Sequence, residues 1–422
     1  MNIAGVGRLC TQCGACAALC PAACIRLAPD SDGNHWPQVE QSRCIECGLC
    51  LRVCSALVFG SDRALPALRL YAGHATEDSW RRRAPTGGLV TALLAHLVAA
   101  GELDGALVLA NPDPQDPRGV APVVARDAEH IRRSVGSRYC PTSPLVRLSD
   151  LRSAPPGRYA VVGLPCQVAA VRRAMEANAA LAQRVSLLVG LFCAHTKTLG
   201  YTRILAHRAG LSHEALAQVH YRRDGWPGEI RLADAQGHEG RLEHTDPLVN
   251  YLWRTEAHAP ARCLICGDAL AQEADLAVGD AWLPEYARDP LGTNLAVARS
   301  ATGQAMLQRA QDAGAVTVWP LPLARLWAAQ PQARVRALAA RQAARAWALG
   351  LRFPEFRRQR ALLGQATLPD RVAALGAVSR WALLSARASE RLLAHLPRLM
   401  FRLCNSAAWR IGRLVRRASR LD

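Results

Sequence analysis

Lysine is nearly absent from this chain. Of 52 basic residues among 422, only Lys197 is a lysine, a skew that reads as the coding bias of a GC-rich genome. Long hydrophobic runs are missing too. The longest clean one, Val185 to Cys193, falls far short of the roughly 20 residues that a membrane-spanning helix needs. No N-terminal stretch joins a basic start to a long apolar run, so no secretory signal is expected. No internal repeat occurs beyond two cysteine loops, and no complete G-x-G-x-x-G. The positive charge comes without a zinc-finger or helix-turn-helix pattern and without an aromatic-basic platform, which disfavours nucleic acid as a partner. What remains is ample: 50% of the residues are apolar, and the length suggests two or three domains.

Cysteine is the informative residue. Cys10, Cys13, Cys16 and Cys20, followed by Pro21, make a C-x2-C-x2-C-x3-C run that Cys44, Cys47, Cys50 and Cys54 repeat. A cubane [4Fe–4S] cluster takes four thiolates. In the two-cluster ferredoxin arrangement the fourth cysteine of each run reaches across to the other cluster. That rule assigns Cys10, Cys13, Cys16 and Cys54 to one cluster and Cys44, Cys47, Cys50 and Cys20 to the other. Gly14 and Gly48 sit where the backbone must curl tightly. Paired C-x2-C also builds zinc ribbons, but two matching quartets favour iron–sulfur. Thiolates held for clusters belong in a reducing compartment, and a cytoplasmic protein is expected.

Residues 1–60 fit a bacterial ferredoxin-like domain, with a hairpin around Pro29 to Asn34. A loose segment, 60–67, leads out. Residues 67–330 have an α/β texture. Strands are expected at Leu68–Ala72, Ala106–Ala110, Val120–Ala125, Tyr159–Gly163, Ser186–Phe192, Leu276–Asp280, Asn294–Arg299 and Ala315–Val318. Helices are expected over Gly88–Ala100, after Asp127 and from about Gln167, and short β segments over 219–241. The pattern implies a parallel or mixed sheet with helices packed on it. Residues 331–422 read as an Arg-rich helical extension, with nineteen arginines against four acidic residues; the preceding 330 residues are nearly neutral. Leu392, Leu396, Leu399, Met400 and Leu403, interleaved with Arg391, Arg398 and Arg402, form a basic amphipathic stretch around Pro397. It suits peripheral contact with the inner face of a membrane, or a solvated cap on the rest of the protein.

Four more cysteines stand at telling places. Cys166 and Cys193 follow two expected strands, and Cys263 and Cys266 form a C-x2-C loop. Strand ends of a parallel sheet open on one rim. A third cubane, a zinc site, or two core cysteines beside a chance C-x2-C all remain open from spacing alone. Thr86, Gly87 and Gly88 stand before a helix, where bare amides and the helix dipole suit a pyrophosphate; an ordinary turn is the alternative. Gly136, Ser137, Arg138 and Tyr139 supply a close approach, a hydroxyl, a cation and a ring suited to a dinucleotide. Asp280, with Gly279 and Gly292–Asn294, either closes the same pocket or simply turns the chain. His195 and Lys197 are candidate proton donors by nearness to Cys193, with structural roles the commoner outcome for such residues. Cys24, Cys140 and Cys404 read as packing residues.

The ordered series Pro85-Thr-Gly-Gly, Gly136-Ser-Arg-Tyr, Gly163-Leu-Pro-Cys-Gln, Leu191-Phe-Cys, Cys263-Leu-Ile-Cys and Ala274-Asp-Leu-Ala-Val-Gly-Asp, behind the ferredoxin runs, resembles the coenzyme F-420 hydrogenase/dehydrogenase beta-subunit family. The resemblance covers roughly residues 5–320. It implies that Cys166, Cys193, Cys263 and Cys266 hold a third [4Fe–4S] cluster, and that the segments at 86–88 and 136–139 surround an FAD. One departure is Ser55, where proline usually follows the second run; it relaxes a turn and removes no ligand. The expected activity is an oxidoreductase with a redox partner protein or small electron donor, an FAD, and a two-electron organic acceptor. The resemblance implies coenzyme F-420 or an unidentified acceptor. An electron-relay subunit serving a partner enzyme, as in polysaccharide biosynthesis, is the alternative.

Overall fold

The computed structural model describes residues 2–58, 66–110, 120–336, 338–353 and 356–406. Most of the expected loose connector and the last sixteen residues of the basic extension lie outside them.

The repeated cysteine loops fold as repeats. Gly14, at φ 92°, opens the single helical turn Ala15–Ala18, and Gly48, at φ 69°, opens Leu49–Arg52. A Cβ at Gly14 would strike the Val146 side chain, so the left-handed turn and the close approach both demand glycine there. Between the loops β1 (Ile25–Pro29) pairs antiparallel with β2 (His35–Val39). Asp30 holds the connecting turn, accepting from the Asp32 and Asn34 amides at 2.8 and 2.9 Å.

An eight-stranded mixed sheet follows. Its strands are β3 (Arg69–Ala75), β4 (Gly105–Ala110), β5 (Ala121–Ala125), β6 (Tyr159–Gly163) and β7 (Val185–Leu191), and later β11 (Leu276–Asp280), β12 (Asn294–Ala298) and β13 (Val316–Leu321). Between them a separate antiparallel sheet runs β8 (Leu216–Arg223), β9 (Glu229–Asp234) and β10 (Glu239–Glu243). The large sheet has the order β13-β3-β12-β11-β7-β6-β4-β5. β4, β6, β7 and β11 pair in parallel; β12 inserts antiparallel between β11 and β3.

These strands read as unbroken apolar runs because both faces are covered. Leu187 and Val189 point into one core, with Leu93 and Leu97 of helix Leu89–Ala99. Leu188 points into the other, with Val168 and Val171 of helix Pro165–Ala177. That helix pair sandwiches the sheet. Asp127 caps helix Ala128–Arg132 by accepting from the His130 amide at 2.8 Å, and Gly101, at φ 67°, ends Leu89–Ala99 with Glu102 donating back to Leu97.

The described part of the C-terminal extension is helical and packed on the rest of the protein. Ala343, Ala346, Leu349 and Phe353 share a core with Ile3, Val6 and Leu9 of the ferredoxin-like region. Leu384, Leu393 and Phe401 join Tyr201, Tyr221 and Leu252. At about 2 kcal/mol for each buried large side chain, this burial outweighs repulsion among exposed arginines, worth under about 1 kcal/mol per pair. One buried ion cluster ties the regions together. Arg203, in helix Leu199–Arg208, donates to Glu390 of helix Arg387–His395 at 2.6 and 2.7 Å and to Asp32 of the ferredoxin-like hairpin at 2.7 Å. Among the described residues no helix is long and apolar enough to cross a membrane.

Candidate redox site

β3, β4, β6, β7 and β11 all run one way, so their C-terminal ends form one rim. Cys166 opens helix Pro165–Ala177 directly beyond β6, and Cys193 lies two residues past β7. The turn Thr86–Gly88 lies beside the end of β3, where the Ala75 amide donates to Gly87 O at 2.8 Å. Asp280 ends β11 and Asn294, its cross-strand partner, begins β12. Residues more than 100 positions apart thus meet along one edge because the topology, not the local sequence, puts them there.

Among the described residues no cysteine is joined in a disulfide. Cys10, Cys13, Cys16 and Cys54 lie within one another's electrostatic field. Burial pushes Cys10 and Cys54 up to about 12, and their neighbours' charges add to it. Cys20, Cys44, Cys47 and Cys50 line a common cleft. Cys166 feels Cys266, Cys193 and Cys263, after burial, which pushes it well above the ordinary thiol value. Among the described residues no three or more His, Cys, Asp or Glu side chains converge on a single-ion position; these groups share electrostatic reach, not the touching geometry of a mononuclear site.

The first and third groups are joined. Cys13 also lies within the field of Cys166. The Ser55 hydroxyl donates to Cys166 O at 2.7 Å, and the Leu145 amide donates to Cys13 O at 2.9 Å. Both bonds run between the ferredoxin-like region and the sheet domain, so the spacing of the two thiol groups is set by shared backbone contacts.

The turn at 86–88 differs from the bare-amide expectation. Gly87 donates to Leu291 O at 2.9 Å, Gly88 donates to Thr86 O, and Leu89 donates to Asn294 Oδ1 at 3.2 Å. The Asn294 side chain reaches into the helix start and takes the amide that a pyrophosphate would need. What the turn offers is close approach: at Gly87, φ is 56° and a Cβ would strike Asn294 Oδ1.

A residue that sequence patterning missed organises this rim. Arg222, its side chain 6% exposed, donates to Asp280 Oδ2 at 2.6 Å and to Pro85 O at 3.0 Å. It also lies within hydrogen-bonding reach of Tyr139, whose phenol burial pushes up. Arg222 sits at the end of β8, 58 positions from its carboxylate, and no short motif could have announced it. Arg138 donates to Ser137 O at 3.1 Å, while its buried Nε has no partner among the described residues. Burial lowers its guanidinium below the ordinary value, against an opposing influence from Tyr221. A cation so placed fits an anionic group such as a phosphate.

The family profile for the C-terminal part of the coenzyme F420 hydrogenase/dehydrogenase beta subunit matches residues 157–322, and its N-terminal counterpart matches residues 70–149. The chain belongs to this beta-subunit family. A 4Fe-4S dicluster domain profile matches residues 9–58. Relatives include the beta subunit of the coenzyme F420 hydrogenase of Methanothermobacter thermautotrophicus, 24% identical, covering 63% of this chain and 87% of that protein. One subunit of the F(420)H(2) dehydrogenase of Methanosarcina mazei is 28% identical over 44% of this chain and 53% of its own length. The coenzyme F420-dependent sulfite reductase of Methanocaldococcus jannaschii is 22% identical over 66% of this chain, which spans 43% of that protein. In fold, the chain matches one from the F420-reducing [NiFe] hydrogenase complex of Methanosarcina barkeri with a TM-score of 0.53 and 21% identity, covering 71% of this chain and 100% of that one.

The two candidate proton donors, Lys197 and His195, both stand in structural surroundings, the commoner outcome for such residues. Lys197 is wholly enclosed: its ammonium donates to Leu252 O at 2.9 Å and Ala257 O at 2.8 Å, 4.8 Å above the Trp253 ring. It caps the carboxyl end of helix Pro247–Arg254, where orphan carbonyls and the helix dipole favour a cation. His195 stacks on Trp253 with ring centroids 4.6 Å apart, and its Nε2 lies 3.1 Å from Trp253 O. The remaining cysteines also separate. Cys140 packs against the Thr202 and Tyr221 hydroxyls at 2.9 and 2.6 Å. Cys24 lies 3.4 Å from Cys20, and Cys404 is exposed, so it is not a packing residue.

Proposed function

We propose that this chain is an iron–sulfur flavoprotein subunit that moves electrons between a redox partner and a two-electron organic acceptor, in a reducing compartment. Cys10, Cys13, Cys16 and Cys54 would hold one [4Fe–4S] cluster, Cys20, Cys44, Cys47 and Cys50 a second, and Cys166, Cys193, Cys263 and Cys266 a third. The single observation that carries the reading is the pair of hydrogen bonds, Ser55 Oγ to Cys166 O and Leu145 N to Cys13 O, that joins the ferredoxin-like region to the sheet rim. Bound there, the clusters supply one-electron relay and an FAD supplies the exchange between one- and two-electron chemistry. The chain's own part is positional. Buried thiols that stay protonated alone would release their protons to solvent on binding iron as thiolates. Ser55 and Leu145 hold the two groups in register. Arg138 would take a flavin phosphate, Gly136 and Ser137 would let it approach, and Arg222 would keep Tyr139 and Asp280 oriented beside Thr86–Gly88. The acceptor is coenzyme F420, as the names of its relatives suggest, or another organic molecule.

One observation favours a second reading, an electron relay without its own substrate site: the amides at 87–89 are already engaged. Counting iron and flavin in anaerobically purified, fully loaded protein separates the two. About twelve iron and one FAD per chain support the flavoprotein; about eight iron and no flavin overturn it. Cys166→Ala should remove about four iron, and Arg138→Met should lower flavin content with iron unchanged.

A further inference from the structure

Helix Leu368–Leu384 is apolar on two opposite sides. Ala374, Ala377 and Leu384 face the protein and are buried. Leu368, Val372, Leu375 and Leu383 recur at i, i+4, i+7 and i+15, which is a single helical stripe, and they are 74%, 60%, 45% and 72% exposed. Nothing in the packing of the described residues accounts for that stripe.

Charge says what would cover it. Arg371 and Arg380, both exposed, flank the stripe on its two sides, where long cationic side chains can snorkel outward around an inserted apolar edge. Only two carboxylates lie in the described part of the extension, and both are used internally: Asp370 pairs with Arg341 at 2.7 Å and Glu390 with Arg203 at 2.6 Å. The next helices continue the theme with exposed Leu392, Leu399 and Leu403 among exposed arginines. The sequence beyond residue 406 adds five more arginines against Asp422. An apolar stripe in a field of one sign, with no exposed acid of its own, matches an anionic lipid surface. A protein partner would need an acidic, tightly complementary face of equal length.

We propose that the outer face of helix Leu368–Leu384 lies on an anionic membrane surface, its leucines and valine at the headgroup boundary and its arginines among the phosphates. At 1.5 Å per residue the helix presents an edge about 25 Å long. It lies on the surface and does not span it. The family profile ends at residue 322, so this surface is an addition to the redox unit. The proposal stands independently of which cofactors that unit carries.

The test is co-sedimentation of the full-length, cluster-loaded protein with vesicles of phosphatidylcholine alone or mixed with phosphatidylglycerol. Binding should be at least about tenfold stronger to the anionic vesicles and fall steeply with salt. Val372→Glu with Leu375→Glu, and separately Arg371→Glu with Arg380→Glu, should each weaken it about tenfold or more while iron content and circular dichroism stay unchanged. Absence of binding by the parent protein, or equal binding by both variants, overturns the proposal. So does a concentration-dependent dimer, seen by sedimentation, that the Val372→Glu, Leu375→Glu variant dissolves while vesicle binding is absent; that result would assign the stripe to a second copy of this chain.

Discussion

Replacing Glu390 by Gln should loosen the C-terminal extension from the rest of the protein. The Glu390 and Arg203 side chains are 7% and 10% exposed and meet through two hydrogen bonds of 2.6 and 2.7 Å. Gln keeps the volume but removes the charge, and its NH2 group is turned against a guanidinium that can only donate. Breaking a buried pair by removing one partner costs about 3–5 kcal/mol. Asp32 still accepts from Arg203 at 2.7 Å, though its carboxylate is 40% exposed and therefore screened. That residual bond brings the expected cost to about 2–3 kcal/mol. The loss should be local, because Arg203 joins three segments without belonging to either hydrophobic core of the sheet. Native-state hydrogen exchange of amides 387–395 should therefore accelerate about 30- to 150-fold, with amides of β6 and β7 unaffected. Asp32→Asn should have the smaller effect, under about 1 kcal/mol. Unchanged exchange at 387–395 in the Glu390→Gln protein, or a larger effect from Asp32→Asn, would refute the assignment of this cluster as the joint.

Three further expectations follow from single side chains. His258 is 2% exposed, and burial holds its imidazole down at about 4 against the ordinary 6.5. The unfolded chain thus takes up its proton first as pH falls; the stabilisation is complete above about 6.5 and is lost by about 3 kcal/mol toward pH 4, a slope that urea titrations should reveal and His258→Gln should flatten. Gly87→Ala forces a side chain onto Asn294 Oδ1 at φ 56° and should cost about 2 kcal/mol in a denaturant melt; a neutral result would mean that Asn294 swings away freely. Ser55→Ala leaves the Cys166 carbonyl without the 2.7 Å bond and should lower stability by about 1 kcal/mol in the same assay.

Much of the fold was legible because its strands are self-announcing. Tyr159–Gly163 and Leu276–Asp280 have the expected limits, since continuous apolar runs ended by glycine, proline or acid admit few other readings. The helices expected up to Ala100 and after Asp127 are bounded by Gly101 and by Asp127 as N-cap. The antiparallel insertion of β12 between two strands of the opposite direction was not legible, because pairing partners far apart in sequence leave no local periodicity. The site divides the same way. Cysteine spacing carried its information within short loops, whereas Arg222 acts on Asp280 across 58 positions and Asn294 acts on Leu89 across 205.

The enclosure of Lys197 reaches beyond the helix it caps. It is the chain's sole lysine and it is 0% exposed, so every permanently cationic side chain on the surface is a guanidinium. An ammonium can be acylated, or can shed its proton as pH nears 10; a guanidinium does neither below about 12. The positive surface is therefore fixed in a way that alkaline buffer and lysine-acetylating chemistry cannot dial down. Amine-directed crosslinkers and dyes find no surface side chain to attack, so side-chain labels and tethers for this protein call for an introduced lysine or an exposed thiol such as Cys404.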